Sequence, residues 1–205
     1  MKKIITSLAV ILILASCGES NDECCKKKEA SCKSKKEESC ESKEVSKTGN
    51  LNAFEENLAA FNACKESTPG NGKCKEFLAK AVCEYYAIDD LKEGGNYVDY
   101  DKIPTKLKEL ESWENLGDFD EKNITTALEK LNNFGKPVLI FNEDASYVHV
   151  VALTPNGKSM KSGKWGGISV PSCISYFPKR KDSFTEKGVN YAFKSADDLT
   201  IWTKK

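Results

Sequence analysis

The 205-residue chain carries 31 basic and 31 acidic side chains, a formal net charge of +0 and a sequence pI near 6.6, with lysines interleaved among acids. Such a balance excludes an electrostatic nucleic-acid binder and gives no signature of a strongly acidic or basic partner. Neither a dinucleotide-binding nor a P-loop glycine fingerprint is present, and there is no internal repeat.

The chain opens with positive charge at Met1-Lys2-Lys3, an apolar stretch from Ile4 to Ala15 that is short for a bilayer span, and small residues at Leu14-Ala15-Ser16 before Cys17. This resembles a bacterial lipoprotein signal. The resemblance implies a leader over residues 1–16, cleavage before Cys17, lipidation of its thiol and acylation of its new amino terminus. It also implies an envelope protein, lipid-anchored and facing the periplasm or cell exterior, with the membrane as a partner through acyl chains alone. An ordinary secretory signal followed by a chance cysteine is the alternative.

Residues 17–50 are rich in Lys, Glu, Ser and Cys and lack aromatics, so they cannot bury enough apolar surface to offset the entropy of ordering. They read as a solvated tether. Its charges nearly cancel, which argues against a nucleic-acid arm. Cys24, Cys25, Cys32 and Cys40 have neither a neighbouring histidine nor Cys-x-x-Cys spacing, so disulfides within the tether or to a neighbouring chain are expected there rather than a metal, with free thiols as the alternative. The sequence calls for no metal site and no cofactor.

Residues 51–205 suffice for one globular domain. Phe54, Leu58 and Phe61 recur at helical spacing, and Thr68-Pro69-Gly70-Asn71-Gly72 ends that helix. A second helix is expected from Lys73 to Tyr86, with Phe77, Leu78, Ala81, Val82 and Tyr85 on its apolar stripe. This places Cys74 in a first turn, where the macrodipole favours a thiolate and free backbone amides could hold an oxyanion. Asn71 is the nearest side-chain candidate for an oxyanion donor. Alternatively, Cys74 is a small apolar filler or pairs with Cys64, whereas Cys83 is too far along the same helix to reach it.

Pro104 in a first turn predicts a helix over 103–113, and Ile124, Ala127, Leu128 and Leu131 give the buried face of another over 123–133, which Gly135-Lys136-Pro137 stops. The period then changes. Val138 to Phe141 is a short buried strand, 142–146 a polar turn, and Tyr147 to Leu153 a strand carrying His149, the chain's single histidine. Asn156-Gly157 predicts a hairpin that sets Ser162 diagonal to His149 on one face, as the group orienting its ring. Asn142 is the other contender.

A cysteine opening a helix, a helix running into Gly135-Lys136-Pro137-Val138, and His149-Val150-Val151 together resemble the papain-like cell-wall hydrolases of the CHAP and NlpC kind. The segments Ser162-Gly163-Lys164-Trp165-Gly166, Val170-Pro171 and Asn190-Tyr191-Ala192-Phe193 are similar to amidase-like members of that superfamily. The resemblance covers most of 70–193. It implies an α+β fold, with helices packed on a small antiparallel sheet. It also implies a cysteine amidase or endopeptidase acting on the peptidoglycan stem peptide, with Cys74 as nucleophile and His149 as general base. The chain departs from the family where an Asn or Asp should follow the histidine. Trp165, Tyr147 and Tyr176 would flank a substrate groove, or else belong to the core. A non-catalytic papain-like module that binds peptidoglycan or a partner protein is the alternative, and it predicts a buried or disulfide-bonded Cys74 out of reach of His149. A peptidase or transglutaminase acting on proteins would share the site.

Overall fold

The computed structural model describes residues 49–68, 74–142, 147–178 and 182–205. The expected leader, Cys17, the four tether cysteines and Asn71 lie outside the described residues.

Helix α1 (Ala53–Ser67) turns Ala53, Phe54, Asn57 and Phe61 inward, with Glu55 and Glu56 in its first turn and Lys65 in its last, matching its dipole. Helix α2 (Phe77–Tyr86) buries Leu78, Ala79, Ala81, Val82 and Cys83. A small ribbon follows, β1 (Lys92–Glu93) and β2 (Asn96–Tyr97), turning through Gly94 and Gly95 at φ 56° and 85°. Helix α3 (Ile103–Glu109) has Pro104 in its first turn as predicted. It stops earlier than expected, because Trp113 already belongs to strand β3 (Trp113–Asp118). Helix α4 (Glu121–Phe134) is capped by the Asp120 carboxylate, which accepts the Asn123 N–H at 2.8 Å, and it buries Ile124, Ala127 and Leu131.

The remaining elements are β4 (Val138–Asn142), β5 (His149–Leu153), β6 (Ser159–Lys161), β7 (Ser169–Ser175), β8 (Phe184–Gly188), the short helix α5 (Val189–Ala192) and β9 (Leu199–Lys204). With β3 they form a seven-stranded sheet in the order β3-β9-β4-β5-β7-β6, β8 pairing with β7, and every pairing is antiparallel. The fold is thus α+β, with helices against a multi-stranded antiparallel sheet.

Helices cover both faces of that sheet, which explains why β4 and β5 are apolar almost throughout rather than alternating. Leu139, Phe141, Val150, Ala152, Ile174 and Tyr176 pack with α1, α2 and α3. Their neighbours of opposite parity, Ile140, Val151, Leu153, Cys173, Phe177 and Ile201, pack with α4 and α5. Parity along each strand therefore decides to which of two cores a residue belongs.

The Asn156-Gly157 hairpin is not formed. Ala152 stands opposite Ile174 and Ser159 opposite Pro171, so a step of seven positions on one strand matches a step of three on β7. The chain loops out and continues along the same edge of β7 instead of folding back. Asn156 does take a left-handed φ of 54°, and the Gly157 N–H closes a turn on the Thr154 carbonyl at 3.0 Å. The signal marks a turn; the reversal comes later, through Gly166 and Gly167 at φ 66° and 84°, where the Gly167 N–H reaches the Ser162 carbonyl at 2.8 Å.

Candidate functional site around His149

His149 opens β5 on the parity of Val151 and Leu153, and the residue is 2% exposed. Its Nε2 lies 2.8 Å from the Oγ of the fully buried Ser175, on β7. The imidazole stacks on Phe177 at 4.5 Å and 7°, on Tyr147 at 6.0 Å and 10°, and meets Phe193 edge-on at 5.4 Å. Its backbone N–H donates to Asn142 Oδ1 at 2.9 Å, while Asn142 Nδ2 donates to the Tyr147 carbonyl at 3.1 Å. Asn142 thus holds the strand entry and not the ring. Ser175 meets the ring, and sequence reasoning missed it; the signal was the alternation Ser172-Cys173-Ile174-Ser175-Tyr176-Phe177, two of whose members flank the imidazole.

Cys74 is elsewhere. It is disulfide-bonded to Cys64, at the end of α1, with the Thr68 hydroxyl 3.6 Å from its sulfur. Instead of sitting in a first helical turn it precedes α2 with a left-handed φ of 73°, and the helix begins at Phe77. It is buried in the core formed with Val150, Ala152 and Ile174, whereas His149 faces the core of Phe177 and Phe193. The two predicted partners occupy opposite faces of the sheet, and no Cys74–His149 pair is formed. The free thiols among the described residues offer no substitute, since reactivity belongs to the thiolate. Burial pushes Cys83 up to about 11 and raises the fully buried Cys173 further.

The other expected residues are also dispersed. Ser162 is not in a strand beside His149 but precedes the single turn Gly163–Trp165, and its Oγ accepts from Asn190 Nδ2 at 3.2 Å. Trp165 is buried edge-on to Phe119 at 5.5 Å, with its Nε1 donating to the Lys194 carbonyl at 3.3 Å. Tyr176 lies in the opposite core, where its hydroxyl donates to the Phe54 carbonyl at 2.6 Å. Of the expected groove only Tyr147 reaches the surface, at 38% exposure. It lines a cleft of about 310 Å³ with Phe193, Lys194, Asp197 and Asp198. Among the described residues no cluster of His, Cys, Asp and Glu could hold a metal ion. Compared with protein-family models, curated proteins and solved structures, the chain matches none of them.

Proposed function

We propose that the domain is a non-catalytic, lipid-anchored module of the bacterial cell envelope that binds peptidoglycan or an envelope protein. The observation that carries this reading is the Cys64–Cys74 disulfide, placed under the sheet face opposite His149. A sulfur in a disulfide cannot attack an amide, and a base on the other face cannot take its proton. A disulfide is also what an oxidising, extracytoplasmic compartment maintains, in keeping with the leader and Cys17. No helix among the described residues is long and apolar enough to cross a membrane, and the membrane contact in this reading is the lipid on Cys17.

A papain-like ancestry is part of the proposal. It is supported by the chain order of a cysteine, helix α2 and an antiparallel sheet with a histidine on it. Amidase or endopeptidase chemistry at Cys74, the other reading of the same resemblance, would need the disulfide opened and a base other than the single histidine.

The test is cosedimentation of the full chain with peptidoglycan sacculi and separately with envelope protein extract, assaying released fragments with and without reductant. Binding without release under both conditions is expected. Release of stem-peptide fragments that disappears in Cys74→Ser would overturn the reading in favour of the hydrolase.

A further inference from the structure

Phe177, His149 and Tyr147 form a ladder of near-parallel rings that runs from the core to the surface. Its two inner rings are buried, and the outer ring, Tyr147, stands at the wall of the cleft it shares with Phe193, Lys194, Asp197 and Asp198. Stacking on a buried imidazole fixes the attitude of the tyrosine before anything binds. The far rim is fixed too. The Trp165 indole holds the Lys194 carbonyl, and the Asp197 N–H donates to Ser195 Oγ at 3.2 Å while that hydroxyl donates back to the Asp197 carboxylate. Among the described residues, no hydrogen bond or ion pair engages the Lys194 ammonium or the Asp198 carboxylate.

The cleft therefore presents one aromatic platform with uncommitted polar groups of both signs. A simple cation would meet the lysine and a simple anion the two aspartates. A hydroxyl donates and accepts at once, so several hydroxyls on one ring satisfy both kinds of group. The flat C–H face of a pyranose is the apolar surface that suits a tyrosine ring, and a volume near the lower end of ligand clefts suits a short saccharide. We propose that this cleft binds the amino-sugar strand of peptidoglycan, with Tyr147 as platform, Lys194 and Asp198 as hydroxyl partners, and His149 as the residue that positions the platform. The inference rests on the binding-module reading and gives it a site.

The experiment is calorimetric titration of the full chain with a β-1,4-linked tetramer of N-acetylglucosamine, alongside sacculus cosedimentation. The variants are Tyr147→Ala, Tyr147→Phe and Asp198→Asn. Saturable binding is expected, weakened about tenfold or more by Tyr147→Ala and nearly kept by Tyr147→Phe. Asp198→Asn should weaken it less and barely move thermal unfolding because Asp198 is exposed, and Tyr147→Phe, which keeps the stacked ring, separates loss of the platform from loss of fold. Sacculus binding without saccharide binding, or saccharide affinity indifferent to Tyr147→Ala, would overturn the site and leave the module standing. Absence of binding to sacculi and to envelope protein alike would overturn both.

Discussion

The Lys204 ammonium, on β9, lies 2.6 Å and 2.7 Å from the two carboxylate oxygens of Asp90, in the segment after α2. Burial pushes the Asp90 carboxyl up, but the bonds from Lys204, Ser112 and Trp113 outweigh it and hold the pKa below the ordinary value. A depressed folded value means the contribution to stability is complete above the ordinary carboxylate range and is lost as pH falls through the lowered value. Asp90→Asn should cost about 1–2 kcal/mol at neutral pH by denaturant unfolding, and its deficit should shrink below about pH 4.

Cys64 and Cys74 are ten positions apart, and their link restrains the unfolded chain as well as joining α1 to the approach of α2. Cys64→Ser with Cys74→Ser should lower stability by about 2–3 kcal/mol, measured as a shift in denaturation midpoint. Saccharide binding should survive, because the cleft lies across the sheet.

Ser175 is a polar partner of the buried His149 ring. Replacing it with alanine removes a hydrogen bond from the interior and should cost about 1–3 kcal/mol by thermal unfolding. The loss should be accompanied by weaker saccharide binding, since the ring that steadies Tyr147 is loosened.

A Cβ on Gly49 would stand 1.4 Å from the Tyr85 carbonyl oxygen, where the chain crosses the end of α2 and the Asn50 N–H donates to the Glu84 carbonyl at 3.0 Å. Gly49→Ala should displace that crossing, and hydrogen exchange should show the Asn50 amide losing protection while β4 and β5 keep theirs. The expected loss of stability is about 1–2 kcal/mol.

What the sequence made legible is what periodicity and caps encode. The inward faces of α1, α2 and α4 follow from spacing, Pro104 marks the start of α3, and Val138 to Phe141 reads as a buried strand. Other strands hide for identifiable reasons. Strand β7 contains Pro171, which argues against a strand, yet that residue faces only the three-residue β6. In β9 threonines interrupt the apolar run, and Thr203 is nonetheless fully buried, its hydroxyl donating to the Pro137 carbonyl at 3.1 Å. For the site, parity along β5 groups His149 with Val151 and Leu153, but nothing local says which face α2 will cover. That choice is tertiary, and the separation of Cys74 from His149 depends on it. Connectivity among nine cysteines is equally unreadable from spacing, although Cys64 stood among the possible partners.

Strand β9, the latest in chain order, lies between β3 and β4, pairing Asn115 with Trp202 on one side and Ile140 with Ile201 on the other. Strand β3 consequently has no partner in the sheet until this segment arrives. Until then β3 and β4 each keep an open strand edge. Assembly is thus governed by long-range closure, which makes it slow and leaves those edges open to other chains in the interval. A truncation before Leu199 would cut β3 off from the other strands and leave β4 as the new border of the sheet.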